Sequence, residues 1–145
     1  IKRGATQATF QEERLALLRR NRLFAPLPLT ALDRLAESMQ PVSFESEEVL
    51  MRKGEPGERY VLIASGTVDV WDDDVRLRTC EAGDGVGEIA LIRRVPRTAT
   101  VTALTRVEAY EIDGATFLAA LAGPAGREAA ESVAAERLAT PRAVG

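Results

Sequence analysis

Residues 87–101 read GEIALIRRVPRTATV, and the rest of the chain is best interpreted from this stretch. Gly87 opens it, and Glu88 stands nine residues before Arg97. The residues that follow the acid, Ile89 and Ala90, are apolar and leave the neighbouring backbone N–H groups approachable. A glycine, one acid and one arginine around a turn are the parts of a small pocket for a sugar phosphate.

Two groups in this stretch are suited to a phosphodiester. Residues 88–92 are predicted to form a short helical turn, whose first N–H groups have no helical acceptor and favour an anion. Arg97 adds a permanent charge and a planar fork of donors, and each charge-assisted hydrogen bond is worth about 1.5–3 kcal/mol. An ionised Glu88 can only accept, so it suits a ribose hydroxyl and would repel a phosphate.

This stretch resembles the phosphate-binding cassette of the cyclic nucleotide-binding domains. Further segments between residues 23 and 122 fall in that family's order and spacing: Leu23-Phe24, Gly54-Glu55-Pro56-Gly57-Glu58, Tyr60-Val61-Leu62-Ile63-Ala64-Ser65-Gly66, Gly83-Asp84 and Phe117-Leu118. By position, the resemblance implies that Gly87, Ile89 and Ala90 offer backbone groups to the phosphate. It implies that Glu88 binds the ribose and that Arg97 pairs with the phosphate.

The resemblance also places Thr98 near the phosphate and the base, and we include the next residue, Ala99, among the ligand-binding residues. In some kinases of the family a threonine here is associated with guanine recognition, because its hydroxyl can bridge the guanine amino group and the phosphate. Related bacterial and channel domains carry Thr or Ser there and bind cAMP, and we expect cAMP rather than cGMP. The family usually has an aromatic residue where this chain has Val86, which we expect to affect packing more than binding.

Short β-rich runs occupy the middle of the chain, at residues 42–44, 49–51, 60–64, 68–71, 75–78, 98–103 and 107–112. Glycines punctuate them at Gly54, Gly57, Gly66, Gly83 and Gly85. Many short strands at close spacing favour a sandwich or jelly roll over an open parallel sheet. We therefore predict a mainly β fold, a double-sheet jelly-roll β-barrel over residues 41–112, with flanking N- and C-terminal helices in one domain.

Two helices are predicted within residues 1–40. Residues 9–12, TFQE, have the form of a capping box for the first helix, which is predicted to end near Asn21. Thr30 can cap the second helix. Its apolar residues recur at the spacing of one buried face: Leu32, Leu35, Ala36 and Met39.

Two more helices are predicted within residues 113–145. Asp113 can cap a short helix that carries Phe117, Leu118 and Leu121 and stops before Gly123. The second helix spans residues 127–138, and its small apolar face comprises Ala129, Ala130, Val133, Ala134 and Leu138. This helix either packs on the barrel or, as the resemblance suggests, closes over the bound base and reports occupancy to a neighbouring domain.

Composition narrows the classes of function. With 145 residues the chain has the length of one domain, and its net charge of −3 does not suggest general nucleic-acid binding. Cys80 is the only cysteine, so no internal disulfide forms; we expect it to act as a small buried hydrophobe. No run of about 20 apolar residues could span a bilayer, and there is no signal-peptide pattern. We expect a cytoplasmic module. Because the chain begins at Ile1 and not at a methionine, we also expect that it was cut from a larger polypeptide.

Enzyme classes find little support. The chain has no histidine, which removes Ser-His and Cys-His nucleophiles and the usual zinc and iron ligand sets. Residues 83–87 lack the spacing and the lysine of a phosphate-binding loop. Asp72, Asp73 and Asp74 are interpreted as a solvated hairpin tip, because their spacing does not match a calcium loop. We expect no catalytic residue, no metal and no cofactor other than the ligand itself.

Three hypotheses for function follow. The first is a regulatory module that binds a 3′,5′-cyclic nucleotide, and the second is a protein-interaction module that kept the fold and lost the ligand. Because Glu88 and Arg97 are both present, the first is favoured. The third is a catalytic domain of unknown type. About twenty residues follow Leu121, too few for a helix-turn-helix, so we expect the effector to be another domain, as in a channel or transporter tail or a multidomain enzyme.

Overall fold

Two helices precede the strands in the computed structural model, which describes residues 3–139 and the side chains of residues 10–137. They are α1 (Arg3–Arg19) and α2 (Leu29–Ser38). The capping box predicted at residues 9–12 is wrong, because α1 runs through these residues from Arg3. No proline interrupts residues 3–9, so the helix can extend upstream. It ends at Arg19, two residues before the predicted end.

The second helix begins one residue earlier than its predicted cap. Pro28, with φ −65° and ψ 156°, is the N-cap, and Thr30 lies inside the first turn without capping it. The proline ring fixes φ at a value that leads into a helix, so no side-chain cap is needed. The predicted buried face is confirmed, since Leu32, Leu35 and Ala36 are buried and Met39 follows as a buried C-cap.

Within residues 3–139, eight antiparallel strands form two sheets. The strands are β1 (Gln40–Phe44), β2 (Val49–Met51), β3 (Arg59–Ser65), β4 (Val68–Asp72), β5 (Val75–Cys80), β6 (Gly85–Val86), β7 (Thr100–Ala103) and β8 (Val107–Asp113). One sheet has the order β1-β8-β3-β6 and the other β2-β7-β4-β5. The predicted mainly β, double-sheet jelly-roll architecture with flanking helices is thus confirmed.

Three details of the strands differ from the prediction. Gly85, interpreted as a turn residue, lies in β6 and pairs with Leu62, while Val86 pairs with Val61. β7 begins at Thr100, so Thr98 and Ala99 precede the strand. The hairpin tip predicted at the three aspartates is right for Asp73 and Asp74, which are exposed. Asp72 instead ends β4 as a buried side chain paired with Lys53.

Three helices follow the strands or interrupt them: α3 (Glu88–Arg93), α4 (Gly114–Ala120) and α5 (Pro124–Ala139). Asp113 caps α4 as predicted, because its carboxylate accepts a hydrogen bond from the Thr116 N–H at 3.2 Å. α5 starts at Pro124, three residues before the predicted start, since proline suits the first helical position. Ala130, Val133 and Ala134 are buried, and the predicted face member Leu138 has its side chain outside the described residues.

The core has two parts. One lies between the helices and β3, where Phe24, Tyr60 and Phe117 pack ring against ring with centroids 4.7–5.9 Å apart. The other lies between the two sheets and contains Cys80 and Val86, both buried. No helix among residues 3–139 has the length and apolar content that a membrane crossing requires.

Candidate functional site

The predicted ligand-binding residues line one pocket of about 370 Å³. They are Gly87, Glu88, Ile89, Ala90, Arg97, Thr98 and Ala99. The walls come from β2, β4, β5 and β7 on one side and from α3 on the other, and Arg137 of α5 also contributes. The volume lies within the range of ligand pockets, about 300–1,000 Å³. The pocket is therefore lined by residues as far apart in the chain as Met51 and Arg137, which are separated by 86 positions.

Gly87 is required by the backbone and by its neighbour. Its φ is +100°, a conformation that side chains rarely adopt, and it is the N-cap of α3. A Cβ at this position would lie 2.5 Å from Arg97 Nη1 and 3.0 Å from the Arg59 carbonyl oxygen. The glycine thus lets the arginine pass close to the start of the helix.

The short helix predicted after Gly87 is confirmed as α3. Glu88, Ile89 and Ala90 form its first turn and are buried, so their N–H groups stand at the end of the helix that has no internal acceptors. The helix ends at Arg93, and the C-cap Arg94 has the left-handed φ of 57°. Arg93 and Arg94 are exposed, and neither lines the pocket.

Arg97 is held by carbonyl oxygens. Its guanidinium donates to the Gly87 oxygen at 3.2 Å and to the Arg59 oxygen at 2.8 Å, and the residue is 8% exposed. Among the described side chains no carboxylate forms an ion pair with it. Burial lowers the pKa of Arg97, and the more distant carboxylates of Glu88, Glu55 and Glu58 act against that shift. An arginine stays charged in proteins, so this buried cation favours an anion in the pocket.

Glu88 is buried beside two arginines, with 2% of its surface exposed. Its Oε2 lies 3.3 Å from Arg137 Nε and 3.7 Å from Arg78 Nη2. Its other oxygen, Oε1, has no hydrogen-bond partner among the described residues. A buried acceptor without a donor costs free energy, about 1–3 kcal/mol, until a donor reaches it. The carboxylate therefore offers one acceptor for a hydroxyl group.

Sequence reasoning did not predict the two arginines that contact Glu88. Arg137 follows Val133 by four residues and so shares the buried face of α5, a spacing that could have revealed it. Arg78 lies on β5 and has an Nε atom without a hydrogen-bond partner among the described residues. No local signal distinguishes Arg78 from Arg76, which lies on the same strand and is exposed.

Thr98 and Ala99 occupy the segment that enters β7. Thr98 is exposed and Ala99 is half-buried, and both line the pocket. The Arg97 N–H donates to the Glu55 carbonyl oxygen at 2.8 Å, and the Gly54 N–H donates to the Arg97 carbonyl oxygen at 2.8 Å. These two backbone bonds fix the segment against the loop between β2 and β3, with the Arg97 side chain directed to Gly87.

Known proteins resemble this chain in sequence. It is 33% identical over 108 residues to the cAMP-dependent protein kinase regulatory subunit of Candida albicans, a match that covers 74% of this chain and 24% of that protein. It is 40% identical over 86 residues to the cGMP-dependent protein kinase of Toxoplasma gondii, with coverage of 59% and 9%. The chain therefore spans no more than a quarter of the length of these two relatives.

A solved structure and a family model agree with this likeness. The regulatory domain of Toxoplasma gondii PKA, in a co-crystal structure with cAMP, superposes with a TM-score of 0.71 at 30% identity, over 75% of this chain and 43% of that one. The model of the cyclic nucleotide-binding domain matches residues 41–123, which is more than half of the chain. The chain belongs to the cyclic nucleotide-binding domain family.

Proposed function

We propose that this chain is a regulatory module that binds a 3′,5′-cyclic nucleotide, with cAMP favoured over cGMP, and transmits occupancy to a linked effector domain. The observation that carries the proposal is the placement of Arg97 and Glu88 in one pocket. The buried guanidinium lacks an ion-pair partner among the described residues, and Glu88 Oε1 lacks a donor. A ribose fused to a phosphodiester supplies the anion and the hydroxyl that these two groups require.

The phosphate is assigned to the end of the pocket formed by Gly87 and Arg97. In this assignment the guanidinium pairs with a phosphate oxygen, and the backbone of Gly87, Ile89 and Ala90 faces the same group. The buried Arg97 guanidinium has lost hydrogen bonds to water. A phosphate bound there gives it a charge-assisted hydrogen bond, which is stronger than a neutral one. Glu88 then accepts from the ribose hydroxyl.

The base is assigned to the side of the pocket lined by Thr98 and Ala99. cGMP is the second candidate, and the position of Arg78 favours it. Arg78 lines the pocket, and an arginine fork can donate to both O6 and N7 of guanine. The two relatives described above are a regulatory subunit of a cAMP-dependent protein kinase and a cGMP-dependent protein kinase, so both ligands are tested.

Transmission to an effector is assigned to α5. Arg137 contacts Glu88 inside the pocket, and the adjacent Glu136 pairs with Arg22, in the segment between α1 and α2, through both carboxylate oxygens. A ligand hydroxyl that donates to Glu88 changes the strength of the contact between Glu88 and Arg137, so ligand binding acts directly on α5. The ligand shifts the equilibrium between two positions of α5 only by its difference in affinity for those positions.

Thermal unfolding with and without ligand tests the proposal. Ligand at 100 times its dissociation constant adds about 2.7 kcal/mol to the free energy of unfolding. We expect cAMP to raise the transition temperature more than cGMP, and adenosine, which lacks the phosphate, to have little effect. If neither cyclic nucleotide moves the transition at millimolar concentration, the chain is better explained as the alternative, an interaction module on the same fold without a ligand.

A further inference from the structure

A second polar group lies in the same pocket, apart from Arg97 and Glu88. Across the sheet, Val101 of β7 is paired with Met51 of β2 and with Val70 of β4, and the three apolar side chains line the pocket. Two residues further on, at the same end of the sheet, lie Lys53 and Asp72. Alternation along β4 directs Asp72 to the same face as Val70, while Lys53 lies in the turn after β2. Both side chains line the pocket.

Lys53 and Asp72 form an ion pair. Lys53 Nζ lies 2.5 Å from Asp72 Oδ1 and 3.1 Å from Asp73 Oδ2. The Asp72 side chain is 7% exposed, whereas that of Asp73 is 73% exposed and does not line the pocket. Lys53 contacts Asp72 and Asp73, whereas Glu88 contacts Arg78 and Arg137. The pocket is therefore lined by two charged groups, one around Lys53 and one around Glu88.

We propose that the Lys53–Asp72 pair reads the hydrogen-bonding edge of the nucleobase. This inference rests on the proposed function, which assigns the phosphate and ribose to Arg97 and Glu88 and the base to the side of Thr98 and Ala99. Lys53 adjoins that side, because its N–H donates to Thr100 Oγ1 at 3.0 Å. A purine has apolar faces and a polar edge, and this part of the pocket has apolar walls around one charged pair. An ammonium can donate three hydrogen bonds and a carboxylate can accept several, so the pair offers a donor beside an acceptor.

The donor and acceptor of the pair predict how much the Asp72 carboxylate contributes to the binding of each base. Guanine presents the acceptor O6 beside two donors, N1–H and the N2 amino group, whereas adenine presents the acceptor N1 beside one amino group. A purine without substituents presents no donor on this edge. The Asp72 carboxylate therefore contributes most to cGMP, less to cAMP and least to the 3′,5′-cyclic phosphate of purine riboside.

Calorimetric titration of the Asp72→Asn variant with these three ligands tests the inference. We expect affinity for cGMP to fall by about tenfold or more, since a bond to a charged acceptor becomes a neutral one. Affinity for cAMP should fall less, and affinity for the purine analogue should change by about twofold or less. Asp73→Asn, which also loses a carboxylate beside Lys53 but lies outside the pocket, should leave the affinity ratios of the three ligands unchanged.

The outcomes separate the two proposals. If the wild-type protein binds none of the three ligands, the proposed function fails and the inference with it. If the wild-type protein binds and Asp72→Asn changes all three affinities equally, or changes them as Asp73→Asn does, only the inference fails. Lys53→Met, at a side chain 40% exposed, is the second variant should Asp72→Asn not fold. It removes one donor to O6 and should weaken cGMP at least about threefold more than the purine analogue; equal weakening would overturn the inference.

Discussion

Arg97 is a buried cation whose hydrogen-bond partners are neutral. Carbonyl oxygens of Gly87 and Arg59 orient its guanidinium, and they do not neutralise its charge. A charge in a site of low dielectric acts more strongly on a partner than it would in water, so the position is suited to capture one anion. Arg93, four residues earlier, is exposed and lies outside the pocket, where solvent screens its charge.

We therefore expect Arg97→Ala to weaken cyclic nucleotide binding about 100-fold, because it removes up to two charge-assisted hydrogen bonds, each worth about 1.5–3 kcal/mol. Isothermal titration calorimetry of the wild-type and variant proteins measures this loss. Arg93→Ala is the matched control and should change the affinity by about threefold or less. Equal losses in the two variants would mean that the phosphate is bound by another cation.

The position of the two-residue strand β6 depends on its contacts with β3 and with the segment after α1. Gly85 pairs with Leu62 of β3, and a Cβ at Gly85 would lie 1.9 Å from the hydroxyl oxygen of Tyr60. That hydroxyl accepts a hydrogen bond from Asn21 Nδ2 at 2.8 Å. β6, β3 and the segment after α1 therefore meet at one buried point. Gly87 and α3, which line the pocket, follow directly in the chain.

Gly85→Ala is expected to destabilise the protein by about 1–3 kcal/mol, because the added methyl group must displace the Tyr60 ring from a packed core. Urea unfolding followed by circular dichroism measures the change. Gly123→Ala serves as the control, since a Cβ there meets nothing within 4 Å and its φ is not positive. If Gly85→Ala were as stable as Gly123→Ala, the close approach of Tyr60 would be incorrect.

Across the whole molecule, the described side chains include two buried groups whose raised pKa values matter in alkali, Cys80 and Tyr60. Burial raises the pKa of the Cys80 thiol above its ordinary value of 9.0. Burial, assisted by the charge of Glu88, raises the pKa of the Tyr60 hydroxyl above 10.0. In the unfolded chain both groups release their protons at lower pH than in the folded protein. Their contribution to stability is thus complete at about pH 8 and below, and it is lost as the pH rises from the unfolded-state values towards the folded-state values.

The free energy of unfolding should therefore fall between about pH 8 and pH 10.5, as measured by urea titration at a series of pH values. A Cys80→Ala variant should lose part of this dependence at the lower end of the range, whatever its absolute stability. Tyr60 contributes at the upper end, because its ordinary pKa is higher. Stability that is constant or increases over this interval would contradict the burial of both groups.

Local patterns in the sequence were sufficient for most of the architecture. Alternation and turn residues predicted seven of the eight strands, and the spacing of Leu32, Leu35 and Ala36 predicted the buried face of α2. These signals depend on neighbours within a few residues, because strand and helix periods are short. β6 was missed because two residues are too few to show a period. The helix starts at Arg3 and Leu29 were misplaced, since a cap motif does not prevent a helix from beginning earlier.

Some residues of the candidate site could likewise be predicted from the sequence, and others could not. Gly87, Glu88 and Arg97 lie within one short stretch whose residue types already point to an anion and a hydroxyl, so they could be selected without coordinates. Arg78, Arg137 and the Lys53–Asp72 pair could not. Arg137 is 49 residues from Glu88, and Lys53 is 19 residues from Asp72. Such contacts depend on sheet register and on how α5 packs, because only long-range pairing brings distant side chains to one face of a pocket.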